Sequence, residues 1–241
     1  MRLGDATWRD IERATTTARR SEDGTLAPVL LVPVGSTEQH GPHLPLATDT
    51  LIAEEIAGRA VHRTDGLMVG PTIPVSASGE HVDFPGTLSL GTAATTTMIV
   101  ELVRSADWAA GVVLVNGHGG NREAITAAVA TLTDEGRVAL AWWPSWPRRR
   151  DGGPADLHAG RIETSMMLAI DPGLGRLELA AAGADTSIDD LRERGVRAVS
   201  ANGVLGDPDG ASGSEGERFI TAFVDDLIHQ IERWRPIDTS G

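Results

Sequence analysis

Glu38, His40, His43 and Asp49 fall within twelve residues of the stretch V-P-V-G-S-T-E-Q-H-G-P-H-L-P-L-A-T-D-T at 32–50. This is a dense set of oxygen and nitrogen donors, directly behind the apolar run Val29-Leu30-Leu31-Val32. A buried strand that delivers polar groups at its end is how open α/β sheets present chemistry, because ligands bind outside the carboxyl ends of the strands. Glu38 and His40 stand two apart, so on extended backbone both side chains leave on one face. Gly41, Pro42 and Pro45 exclude a regular helix or strand before Asp49, which predicts a shaped loop able to fold Asp49 back towards the pair. A solvated polar loop is the plain alternative, and His43 suits bracing of that loop better than ligation.

Two further stretches carry chemistry. His118 sits in N-G-H-G-G-N, after the all-apolar run Val112-Val113-Leu114-Val115. Its flanking glycines remove side-chain bulk and let something approach the backbone closely. Neither the dinucleotide spacing nor a P-loop lysine accompanies them, which sets phosphate binding aside. H-A-G-R-I-E-T supplies His158 and Glu163. A separation of five turns two helical side chains apart, so both serve one site only if His158 lies in a loop and Glu163 in the first helical turns. An ordinary helix carboxylate is the alternative for Glu163.

The ligand count is then Glu38, His40, Asp49, His118 and Glu163. Three carboxylates and two histidines without sulfur suit a pair of divalent ions, Zn²⁺, Fe²⁺ or Mn²⁺, with Asp49 bridging. The expected chemistry is attack of metal-bound hydroxide on an amide, with His158 free to move the proton. His158 and Glu163 form the candidate catalytic pair. Ser78, Glu80 and His81, in the loop S-A-S-G-E-H, are candidates to face the substrate; bracing of the loop is the alternative for His81. Trp142, Trp143 and Trp146 could wall a pocket, with Trp143 the candidate substrate contact, or could pack in the core. His62 and His229 read as solvated.

The elements that must position these residues follow from periodicity. Strands are expected at about Pro28 to Val34, Met68 to Val75, 112–115, Arg137 to Trp143 and, near the end, Val196 to Val199. Helices are expected over about 6–19, Thr50 to Val61, Thr92 to Trp108, Arg122 to Glu135, within Asp156 to Ile170, which begins in H-A-G-R-I-E-T-S and continues as a helix, and over Glu215 to Trp234. Strands alternating with helices predict a three-layer α/β/α sandwich with a mainly parallel sheet. At 241 residues, and with no linker-like tract, residues 1–241 are expected to form a single domain.

Lys+Arg 21 against Asp+Glu 34 leaves a net charge of −13, which argues against nucleic acid or an anionic membrane as partner. The chain has no cysteine, so any metal must be held by histidine and carboxylate. No signal segment and no membrane span is readable, which predicts a soluble cytoplasmic protein.

The segments P-V-G-S-T-E-Q-H-G-P-H-L-P-L-A-T-D, S-G-E-H-V-D-F-P-G-T-L-S-L, N-G-H-G-G-N and H-A-G-R-I-E-T-S resemble, in order, the signature segments of the creatininase (creatinine amidohydrolase) family. The resemblance runs from Val32 to about Gly216. It implies metal positions at Glu38, His40, Asp49 and His118, and a closed homo-oligomer. Creatininase itself carries a tyrosine and a glutamate ligand where this chain has Gly119 and Gly120. The second metal then needs another carboxylate, for which Glu163 is the candidate, and the case for creatinine as substrate weakens. The stretch at 195–216 is similar to a peptidase branch of the family, which implies removal of a C-terminal Val-Tyr dipeptide from a modified precursor peptide. A small cyclic-amide or formamide hydrolase is the runner-up, and a non-catalytic metal-binding regulator the reading from another class.

Overall fold

A computed structural model describes residues 1–20, 27–145, 156–184, 186 and 188–234. Four parallel strands form one sheet in the order β2-β1-β3-β4: β1 Val29–Val34, β2 Leu67–Val69, β3 Gly111–Asn116 and β4 Ala139–Trp142. The helices are α1 Trp8–Arg20, α2 Thr48–Arg63, α3 Gly91–Ser105, α4 Arg122–Asp134, α5 Arg161–Ile170, α6 Ile188–Arg194, α7 Val196–Val199 and α8 Gly213–Trp234.

Every residue of β1 and β3 is buried, and the pleat sends alternate side chains to opposite faces. Val29, Leu31, Val113 and Val115 join the core under α2, α5 and α8. Leu30, Val32, Val34, Val112 and Leu114 join the core under α3 and α4. Burying each of these side chains contributes about 1.5–3 kcal/mol. Continuous apolar runs are therefore what a sheet covered on both faces demands, and the three-layer α/β/α sandwich expected from the alternation is the fold observed.

The strand order has a direct consequence for the site. From β1 the chain turns one way to β2, then crosses back to β3 on the other side and continues outward to β4. The carboxyl ends of β1 and β3 thus flank the point where the winding reverses, which opens a crevice there. Glu38 and His40 follow β1, and His118 follows β3. α2 starts against the same two strand ends. A Cβ on Gly117 would collide with the backbone carbonyl of Asp49, so glycine at 117 lets the first turn of α2 sit close over β3.

Two expectations are corrected. The second strand stops at Val69, where Gly70 and Pro71 interrupt it, and only an isolated bridge joins Ile73 to Val34. Val196–Val199 is one turn of helix. Its valines favour strand locally, but the sheet is completed between residues 29 and 142 and leaves them no partner. Trp142 is fully buried, edge-on to Phe223, and donates its indole N–H to Asp226 at 2.8 Å. Trp146 lies outside the described residues.

Candidate metal centre

Five segments converge on the crevice. The loop after β1 brings Glu38 and His40, the first turn of α2 brings Asp49, and the turn after β3 brings His118. The segment before α5 brings His158, and the first turn of α5 brings Glu163. His81 ends a short 3₁₀ turn, Gly79–His81, that closes over them. The arrangement that the five-residue spacing requires is the one found, with His158 in a loop and Glu163 on the helix. None of these side chains reaches a tenth of its possible exposure.

Asp49 stands between two groups of donors. Its Oδ2 is 3.2 Å from His118 Nδ1, and its Oδ1 is 3.1 Å from His40 Nε2. Glu38 completes the first group, with Oε2 3.1 Å from His118 Nε2; Glu163 completes the second, with Oε2 3.8 Å from His40 Nε2. A third grouping, Glu38, His40 and His158, overlaps the first two. Asp49 is steadied by the Ser36 hydroxyl, which donates to Oδ2 at 2.7 Å. Glu163 accepts the backbone N–H of Ala159 at 2.6 Å, from a residue with φ 53°, a left-handed conformation that costs a non-glycine residue energy.

The histidines show what the centre is built to hold. Each of three rings gives one nitrogen to a backbone carbonyl, which can only accept: His40 Nδ1 to Glu38 O at 3.2 Å, His118 Nε2 to Ala77 O at 3.0 Å, and His158 Nε2 to Gln39 O at 2.6 Å. The proton of each neutral ring is therefore on its outer nitrogen. The remaining nitrogens, His40 Nε2, His118 Nδ1 and His158 Nδ1, face carboxylate oxygens, and in a neutral ring each is the lone-pair nitrogen that a cation could take. Lone pair against carboxylate is repulsive unless a cation or a proton lies between them, and metal-ligating histidines are commonly oriented through such outer N–H bonds.

Glu38 supports the same fit, since it is fully buried and neither carboxylate oxygen has a hydrogen-bond partner among the described residues. Leaving such a group charged and uncompensated costs several kcal/mol. Without a cation the site answers with protons. Burial pushes the Glu38 carboxyl up, and burial likewise raises Glu163. Burial by itself would lower His40 and His118, but the carboxylates facing them, Asp49 for His40 and Glu38 for His118, outweigh it and raise both. The donor set fits divalent ions.

The substrate candidates are placed as follows. Ser78 is buried with its hydroxyl 3.4 Å from His118 Nε2, and His81 Nε2 is 3.2 Å from Glu38 Oε1 without the alignment of a hydrogen bond. Glu80 is the most open, its side chain 24% exposed and its Oε1 3.6 Å from His118 Nε2. Trp143 packs on the α3–α4 side of the sheet with the Arg122 guanidinium 4.8 Å from its ring centroid. His43 donates to or accepts from the Thr164 hydroxyl at 3.0 Å and braces its loop. His62 and His229 are exposed.

Several residues that build the centre carried no titratable signal in the sequence. Asn121 donates to Gly35 O and Asn116 Oδ1, and accepts the N–H of Ala77, tying the ends of β1 and β3 to the 77–81 turn. Gln39 lies between His81 and His158. Repetition of asparagine at both ends of N-G-H-G-G-N was the one available hint.

The model of the creatininase family (creatinine amidohydrolase) matches residues 5–231, so this chain belongs to that family, a class of hydrolases. Its curated relatives divide. It is 46% identical over 238 residues to the mycofactocin precursor peptide peptidase of Mycolicibacterium smegmatis, covering 94% of this chain and 92% of that one. It is 30% identical over 204 residues to the creatinine amidohydrolase of Pseudomonas putida, covering 73% and 74%. Among solved structures, a creatininase with a tryptophan-to-phenylalanine substitution superposes with a TM-score of 0.77 at 27% identity, over 98% of this chain and 99% of that one. A manganese creatininase gives 0.72 at 25% identity, with the same coverage.

No side chain projects from Gly120, and the space beside it is taken up from elsewhere. A Cβ at 120 would run into Glu80 Oε1, His118 Nε2 and Ala77 O. The 77–81 turn thus moves a carboxylate into the room that a side chain at 120 would need.

Proposed function

We propose that the chain is a peptidase dependent on two divalent ions, Zn²⁺, Fe²⁺ or Mn²⁺, and that it removes the C-terminal Val-Tyr dipeptide from a modified mycofactocin precursor peptide. The observation that carries the metal dependence is the convergence of buried carboxylates with three histidines, each oriented by a backbone carbonyl on its other nitrogen, into groups whose ligand atoms could surround an ion. The 46% identity to a peptidase of that name supports the peptide substrate. Glu38, Asp49 and His118 would hold one ion, and His40, Asp49 and Glu163 the other, with Asp49 shared. Such ions, when bound, acidify water and polarise an amide carbonyl.

The chain's own groups do the rest. The bare Nδ1 of His158 takes up a proton and returns it to the leaving nitrogen, and the bond from Nε2 to Gln39 O holds the ring for that task. Burial keeps His158 neutral and so able to accept. Glu163, fixed by the Ala159 N–H, completes the donor set. Ser78, Glu80, His81 and Trp143 are the proposed substrate contacts.

The test is hydrolysis of the modified precursor peptide, with creatinine, other cyclic amides and formamides as competitors. Release of Val-Tyr from the peptide alone is expected. Turnover only of a small cyclic amide or formamide would install the runner-up, and metal binding without any hydrolysis would make the chain a regulator. Exhaustive chelation should abolish hydrolysis and Zn²⁺, Fe²⁺ or Mn²⁺ should restore it; full activity in metal-free protein would refute the proposal.

We also propose a closed homo-oligomer in the cytoplasm, in keeping with the family resemblance. No helix among the described residues is long and apolar enough to cross a membrane. Light scattering at micromolar concentration should return a multiple of the 25.4 kDa chain mass. A monomer would contradict the assembly.

A further inference from the structure

Gln39 is 5% exposed, and the backbone around it fixes how its amide sits. Its Oε1 accepts the N–H of Gly41 at 2.9 Å, and its Nε2 donates to the carbonyl of Gly203 at 3.1 Å. A backbone N–H can only donate and a carbonyl can only accept, so the orientation follows without reference to any histidine. The second proton on Nε2 meets His81 Nδ1 at 2.9 Å. That nitrogen must accept, which leaves the proton of the His81 ring on Nε2, beside Glu38 Oε1.

The main chain of the same residue does the reverse for His158. Gln39 O is 2.6 Å from His158 Nε2, so that nitrogen carries the proton and Nδ1 is bare on the side of Glu38. The 3.1 Å separation of Gln39 Nε2 from His158 Nε2 is then a contact between two donors. The two imidazoles are 4.4 Å apart and both buried.

We propose that Gln39 is a positioning residue that sets opposite tautomers on the two rings: its side chain holds His81 as an N–H donor towards the site, and its carbonyl holds His158 as the lone-pair bearer. The inference rests on the hydrolytic role proposed for His158. It also bears on ligation: with a proton on its inward nitrogen, His81 would offer no lone pair to an ion beside Glu38.

The experiment is ¹⁵N-histidine NMR of the zinc-loaded protein, with resonances assigned by their loss in His81→Asn and His158→Ala. The wild-type spectrum should show a pyridine-type Nδ1 and pyrrole-type Nε2 for His81, and a pyrrole-type Nε2 for His158. Gln39→Met keeps the length and removes the amide; it should retain zinc and the His158 signals, convert His81 to a tautomer mixture, and lower kcat by about 10- to 100-fold with little change in KM. Gln39→Glu sets an acceptor against Nδ1 and should make that nitrogen pyrrole-type. A pyrrole-type His81 Nδ1 in the wild type, or a His81 tautomer indifferent to Gln39→Met, would overturn the assignment. Should both variants misfold, by loss of zinc and of a thermal transition, the wild-type spectrum alone decides. These spectra read the tautomers whether or not the peptide is cleaved, so a failure here is separable from a failure of the substrate proposal.

Discussion

Asp49→Asn should carry almost no metal by elemental analysis and should hydrolyse nothing above background. The reason lies in the two directions of its carboxylate, Oδ2 towards His118 and Oδ1 towards His40. An amide presents one acceptor oxygen and one donor nitrogen, so whichever way the substituted side chain settles, one of the two ion positions faces N–H protons in place of a charge. The neutral side chain also removes the negative charge that both groups share. Glu163→Gln, by contrast, touches only the grouping with His40 and Asp49, and should give up one ion and keep the other. Two ions retained in Asp49→Asn would refute the bridging role.

The second large effect separates proton transfer from ligation. His158→Ala should retain its metals and its fold yet lose about 10²- to 10⁴-fold in turnover, whereas His118→Ala should lose both. The structure sharpens the contrast, because His118 has contacts to Glu38, Asp49 and Ala77 O that a metal would share. His158 is bonded outward to Gln39 and stands 3.7 Å from Glu38 Oε1. It also lies within a possible donor group with Glu38 and His40. Metal content is therefore the deciding measurement: loss of an ion from His158→Ala would turn the proton carrier into a ligand and reopen the assignment of Glu163.

The carboxylates and histidines of the site could be read from the chain because titratable groups behind an apolar run have few structural uses, as Glu38, His40 and His118 illustrate. That the sheet is mainly parallel and covered on both faces could be read for a similar reason, since runs such as Val112 to Val115 suit only strands buried on both faces. What could not be read is geometry that depends on a partner far along the sequence. Val196–Val199 has the composition of a strand, and only the completed sheet denies it one. Gln39 has no signature of its own, because its meaning comes from Gly203, His81 and His158, each supplied by a different segment. The proximity of Glu80 to Gly120 is likewise a fact of space.

The crevice at the reversal of the winding has a consequence for folding. The stretch 38–49 supplies two donors for either ion, but the third comes from the β3 exit, His118, or the start of α5, Glu163, so the complete sets exist only in the folded chain. The unfolded ensemble then competes weakly for metal, and nearly all of the binding free energy acts on the closed, native chain. Ions at a thousandfold above their dissociation constant would add about 4 kcal/mol per site, comparable with the whole margin by which many domains remain folded. Metal supply would accordingly govern the lifetime of the polypeptide as well as its turnover.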